Sequence, residues 1–188
     1  MNQITPSNNS DKKTDCNEDL WKHVYNPQRL KVLSDCISAI GTVVQVSKES
    51  DGDLHIQLKL NQNEMGLLNQ KNYSNANGNL IAEIICMNKI SQSDAVQPCL
   101  NCPMNINVPN VGDEILVQGT YVVDLHHGWN EIHPVSSIKI IEHHSPEIFD
   151  SNPIVGYTSK HQPIFQSEKG AHYHYSKNGN KVYEKKSH

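Results

Sequence analysis

Apolar residues between Leu30 and Ile141 fall into alternating runs, the mark of half-buried strands. Leu30–Leu33 reads as an edge segment. Cys36–Val46 reads as a long first strand with Gly41 inside it, and a glycine there predicts a bulge or sharp bend. Leu54–Leu60 puts four aliphatics on one face and His55, Gln57 and Lys59 on the other. Leu80–Cys86 is a third strand whose one charged residue is Glu83. Glu114–Val123 and Trp129–Val135 form a hairpin around Leu125–Gly128, and residues 136–142 prolong its second arm.

Between these runs the signals are weaker. Asp19–Tyr25 predicts a helical turn that tucks Leu20, Trp21 and Val24 against the domain. Ser50–Asp53 is a turn, and Asn61–Asn79 an inserted loop with one helical turn near Glu64–Gln70. Ser91–Gln97 predicts a short helix capped by Ser93 and stopped by Pro98. Three strands, a short helix and two strands is the order of a five-stranded OB-type Greek-key barrel; another small barrel or an open sandwich is the alternative. The domain divisions expected are a disordered 1–19, a barrel over 20–142, a linker over 143–156 and a tail over 157–188. Within the tail a small C-terminal hairpin is expected, Ala171–Tyr175 and Lys181–Tyr183 around an Asn-Gly turn.

Three stretches, GTVVQVSKESDGDLHIQLKL, NLIAEIIC and VGDEILVQGTYVVDLHHGWNEIHPV, resemble a group of prokaryotic proteins with an OB-like β-barrel, over roughly Trp21–Ile141. HHGWNEIHPV is the most distinctive part. The resemblance implies the fold and carries no activity. The tail, YTSKHQPIFQSEKGAHYHYSKNGNKVY, resembles a short basic C-terminal module of the GGxYYINxNGNKxY kind, proposed to be an adaptor in large-virus and microbial proteins. Here Gly170–Ala171 stands for Gly–Gly, and His172 and His174 flank Tyr173. This resemblance implies a protein partner for the tail.

The chain of 188 residues is long enough for one domain with tails. No run approaches the length of a membrane span, and MNQITPSNNSDKKTDCNEDL lacks the apolar core of a secretory signal, so a cytoplasmic protein with no membrane partner is expected. The net charge of −4 divides into −8 up to Asp150 and +4 from Ser151, and an acidic main domain weakens a generic nucleic-acid reading. Five cysteines make an odd number, so a full disulfide framework is not expected. Cys86 and Cys99 can meet as a disulfide or a buried thiol pair. Cys99–Cys102 is a CxxC open to zinc or redox chemistry, and Cys36 reads as core.

The candidate chemistry lies on the polar side of the strands. With Ile132 facing the core, Glu131 and His133 point outward; Glu83 approaches them if the third and fifth strands meet, with His55 one strand away. Asp124 and His127 sit at the hairpin mouth, and Trp129 is either an exposed platform or a plug. The expected ligand site is therefore His55, Glu83, Asp124, His127, Trp129, Glu131 and His133. The first reading is a non-catalytic binding module, with single-stranded nucleic acid as the first ligand class. The second is a divalent metal such as zinc on His127, Glu131 and His133, whose bound water would make a metal-dependent hydrolase. The bland alternative is cross-strand polar pairing. The tail histidines His161, His172, His174 and His188 are expected to face solvent.

Overall fold

The computed structural model of the chain describes residues 16–143, 152–159, 162–176 and 181–184. It is mainly β. Strands β1 (Leu30–Lys48), β2 (Leu54–Leu60), β3 (Leu80–Ile84), β4 (Glu114–Asp124) and β5 (Asn130–Glu142) form a five-stranded sheet. A separate four-stranded sheet holds β6 (Ile154–Tyr157), β7 (Pro163–Gln166), β8 (His172–Tyr175) and β9 (Lys181–Tyr183).

The expected edge segment and first strand are one strand of 19 residues. It is long because it serves two partners: Leu30–Thr42 pairs with β4 and Gly41–Lys48 with β2. β2 pairs with β3, β3 runs parallel to β5, and β5 pairs with β4, so the ladder returns to β1. Of the bulge or sharp bend expected at Gly41, the bulge is absent, since the register shifts on β1 fall at Val32/Ser34, Ser34/Ile37 and Val43/Gln45; Gly41 lies where β1 pairs with both β2 and β4. It marks a close approach, because a Cβ would lie 2.8 Å from the Lys59 carbonyl oxygen.

Helical structure differs from expectation. The helix expected at Ser91–Gln97 is a three-residue 3-10 turn, Ser93–Ala95, and Ser93 does not cap it; Gln92 occupies that position without a side-chain bond. The one α-helix among the described residues, α1 (Gln70–Asn75), lies between β2 and β3 and opens with a capping box on Asn69 and Asn72. A 3-10 turn, Gln62–Leu67, precedes it.

Two apolar clusters sit on opposite faces of the sheet. Inside, Val43, Ile56, Leu58, Leu80, Ala82, Ile84, Ile115, Val117 and Ile132 pack together. Outside, Ile85 of the chain after β3 and Val122 of β4 pack against Leu20, Val24 and Leu30. The cover over this outer face is the 3-10 turn Glu18–His23, as its apolar pattern predicts, together with the stretch that follows β3, which brings Cys102 and Met104. Trp21 anchors the turn by donating from Nε1 to the Thr120 hydroxyl at 3.1 Å. Four of the five cysteines staple this cover; of the two alternatives for Cys86 and Cys99 the disulfide is present, and Cys16–Cys36 is a second bridge that was not expected. Cys16–Cys36 ties the N-terminal arm to β1, so Cys36 is a cross-link and not a core thiol; Cys86–Cys99 closes the second arm; Cys102 is free. By loop length each bridge is worth about 3 kcal/mol.

The expected C-terminal hairpin is the outer half of the second sheet, whose first strand begins inside the stretch expected to be a linker. A lone hairpin is marginal in water. Here β6 and β7 add the apolar surface it lacks: Phe165 and Tyr173 are buried, with ring centroids 5.8 Å apart, and Tyr175 and Tyr183 lie 5.7 and 5.5 Å from Tyr173. Of residues 1–19, expected to be disordered, Cys16–Asp19 are ordered: Cys16 is bridged to Cys36 and Asn17 caps the turn that starts at Glu18. Residues 1–15, most of the linker, the Asn178–Gly179 turn, His161 and His188 lie outside the described residues. No helix among the described residues is long and apolar enough to cross a membrane.

The tightest point of the sheet is Gly119, at a register shift between β4 and β5, where a Cβ would run into the Pro134 carbonyl and lie 2.5 Å from Ile132 Cγ2. Gly119→Ala should therefore cost about 2 kcal/mol in urea unfolding. Gly66→Ala, with nothing within 4 Å, should leave the midpoint unchanged.

Candidate functional site

The polar outer face of β3 and β5 is a buried charge cluster. Alternation does turn Glu83, Glu131 and His133 away from the inner core, but they do not face solvent. All three are fully buried, because the 18–30 segment and the stapled arm cover them. The parallel pairing of Ile81 with Glu131 brings β3 and β5 side by side. His133 Nδ1 then lies 3.0 Å from Glu83 Oε2 and 3.1 Å from Glu131 Oε1. On the other flank His55, paired in register with Glu83, brings Nε2 to 2.6 Å from Glu83 Oε1. Four of the seven expected residues thus touch one another.

The hairpin mouth joins this cluster through Asp124 and Trp129. Asp124 accepts from the His126 and His127 backbone N–H groups at 2.6 and 3.3 Å, and its second oxygen lies 2.8 Å from His127 Nδ1. The carboxylate therefore shapes the turn and holds the His127 ring. Trp129 is neither platform nor plug. It stacks on His127 with centroids 4.3 Å apart and donates from Nε1 to Glu131 Oε2 at 2.8 Å. The inserted loop fixes this end: Asn72 bonds both the N–H and the carbonyl of Asn130, and Asn69 donates to the Gly128 carbonyl.

Two members of the cluster have no counterpart among the expected residues. Arg29 sits 3.8 Å from both Glu83 and Asp124, outside hydrogen-bond range, and its Nε is buried without a hydrogen-bond partner among the described residues. Asp53 accepts from the Cys86 N–H through Oδ1 at 2.8 Å, while Oδ2 lies 4.0 Å from His133 Nε2. In sequence Asp53 reads as a turn residue and Arg29 as the start of a strand. The available signal was Asp53's place directly before β2, opposite the end of β3.

The cluster gathers four carboxylates (Asp53, Glu83, Asp124, Glu131), the Arg29 guanidinium 3.8 Å from Glu83 and Asp124, and the imidazoles of His55, His127 and His133. Protonation adjusts accordingly. Burial disfavours charge on both Glu83 and His133, but their mutual attraction wins: Glu83 is held well below the usual carboxylate range and His133 well above the usual imidazole value. Burial raises Glu131, and the neighbouring Glu83 charge adds to it. Burial pushes Asp53 up to about 7, with His133 pulling the other way. His55 is raised by Glu83 against its own burial.

Beside the cluster a cleft of about 490 Å³ opens between the Tyr25–Arg29 segment, the Glu49–Asp51 turn and His126–His127, with His55 and Arg29 reaching into it from the buried network. The His127, Glu131 and His133 set expected to bind metal does not converge. Among the described residues the groups whose ligand atoms come within 4.8 Å of one another are Asp53–Glu83–His133 and Asp53–Cys86–Cys99, and the two cysteines of the latter are joined to each other. Asp53 and Glu83 thus stand where His127 and Glu131 were expected. Cys99–Cys102 is not a zinc or redox CxxC, since Cys99 is bonded to Cys86 and burial raises the Cys102 thiol.

Asp124 gives a direct pH test. Burial opposes its charge, but His127, the His126 N–H and Arg29 hold its carboxyl below the ordinary value. A depressed folded pKa stabilises above the unfolded value, about 3.9, and that contribution disappears as pH falls through the folded value. Wild type should exceed Asp124→Asn by roughly 3 kcal/mol at pH 7. The gap should close on acidification below about pH 4. A gap that stays constant with pH would show that the carboxylate's charge is immaterial. No protein-family model, curated protein or solved structure matches the chain.

Proposed function

We propose that the protein is a binding module on an OB-type barrel, and that its ligand is a small polar molecule with an anionic group, held in the cleft above the buried cluster. The barrel type is supported by the strand order, by a first strand shared between β2 and β4, and by the parallel β3–β5 pairing. The observation that carries the ligand reading is Arg29. It is one-fifth exposed on the cleft wall and stands 3.8 Å from its nearest carboxylates, so its donors are not spent on the protein. His55, His126 and His127 line the same cleft, and Glu49, Ser50 and Gln92 supply acceptors opposite. A cleft of about 490 Å³ suits one small molecule or one nucleotide.

A long single strand has less support. Strand binders track a basic groove with stacking aromatics. This cleft is flanked by Glu49 and Asp51, and the Trp129 indole is occupied by His127 and Glu131. Two disulfides in a small domain favour an oxidising compartment over the cytoplasm. The tail supports a second reading as a protein-binding unit, because Ile154, Tyr157 and Tyr183 are each more than half exposed on so small a sheet.

The test is a titration with adenosine monophosphate, followed by the imidazole resonances of the histidines, beside a twelve-residue oligothymidylate. Saturable shifts at His55, His126 and His127, weakened at least fivefold in His126→Ala and His127→Ala together, are expected. Affinity that rises steadily with oligomer length would replace the small-ligand reading with a strand-binding one. No shift with either probe would remove both.

A further inference from the structure

Beneath the cleft, separate from the groups that would hold its ligand, two buried atoms face each other without a hydrogen-bond partner, Asp53 Oδ2 and His133 Nε2. Beside them the Glu83 carboxylate meets only imidazoles, His55 at 2.6 Å and His133 Nδ1 at 3.0 Å. Asp53 is 2% exposed, and Glu83 and His133 are not exposed at all. A buried polar atom left unsatisfied is destabilising, and more so if it is charged, so two that face each other call for an occupant between them.

We propose that Asp53, Glu83 and His133 hold a divalent first-row cation, zinc or manganese. One imidazole nitrogen with two carboxylates is a donor set for such ions, harder than the thiolate sets that select copper(I). The spacing agrees. Asp53 Oδ2 and His133 Nε2 are 4.0 Å apart, too far for a hydrogen bond. Two ligands at about 2.1 Å from one ion stand roughly 3 to 4.2 Å apart, according to the angle between them. The three ligand atoms all lie within 4.8 Å of one another.

The surroundings orient these ligands as a metal site requires. His133 Nδ1 faces Glu83 at 3.0 Å and Glu131 at 3.1 Å, which leaves Nε2 on the side of Asp53; a carboxylate behind a ligating histidine fixes its tautomer. Trp129 Nε1 in turn holds Glu131. Asp53 is fixed through its other oxygen by the N–H of Cys86, a residue pinned by its disulfide. His55, which contacts Glu83, also lines the cleft and is the link between the two. The inference does not rest on the cleft's ligand, since none of the three is among the residues that line the cleft.

The experiment adds manganese(II) to the chelator-treated full chain and maps paramagnetic broadening of backbone amides. One equivalent should broaden the amides around 53, 83–86 and 131–135, with an excess of zinc reversing it. Asp53→Asn, which keeps the bond to Cys86, should weaken the ion at least tenfold, while His126→Ala leaves it unchanged. Absence of broadening in the barrel of the wild-type chain would overturn the site, whether or not the variant folds. So would broadening confined to the tail histidines or left intact by Asp53→Asn. Loss of nucleotide shifts in the cleft with manganese binding intact would count against the cleft alone.

Discussion

The fold is arranged around a carboxylate that has no access to water. Glu83 is fully buried, and an isolated ionised carboxylate in that position would cost far more than a small domain's whole stability. It is tolerated because three elements bring it partners: β2 supplies His55, β5 supplies His133, and the chain entering β1 supplies Arg29. The β3–β5 pairing is therefore more than a closure of the ladder. It puts an acid and an imidazole from strands far apart in sequence within 3.0 Å of each other.

The cover makes this pairing matter. A small β-sheet commonly keeps one face in water, and polar residues there contribute little. Here the outer face carries its own apolar cluster from Leu20, Val24, Leu30, Ile85 and Val122, beneath arms fastened by Cys16–Cys36 and Cys86–Cys99. Burial turns surface ion pairs into a cluster whose protonation states are interdependent. It also leaves His55 and Arg29 as the links between the cluster and the cleft. The cleft and the charged interior thus share two residues.

The strands and the convergence of Glu83, Glu131, His133 and His55 were legible in the sequence, because period-two alternation assigns faces and strand order assigns neighbours. What alternation does not report is whether the outward face is wet. The cover comes from Leu20 and Val24 at one end and Cys102 and Met104 at the other, so the burial of Glu131 and His133 depends on contacts distant in sequence. Asp53 was hidden for a related reason. In Ser50–Asp51–Gly52–Asp53 it carries the signature of a turn, and only the geometry of β2 against β3 aims it at His133. The asparagines Asn69 and Asn72 resemble loop filler until their amides are seen bonding Gly128 and Asn130. Cysteine parity misled, since an odd count is compatible with two bridges and one free thiol.

The most direct measurement is a crystal structure of the zinc-loaded protein with data collected across the zinc absorption edge. One anomalous peak is expected beside the five-stranded sheet, within about 2.0–2.2 Å of Asp53 Oδ2 and His133 Nε2 and alongside the Glu83 carboxylate. A water in that position, with zinc elsewhere or nowhere, would contradict it.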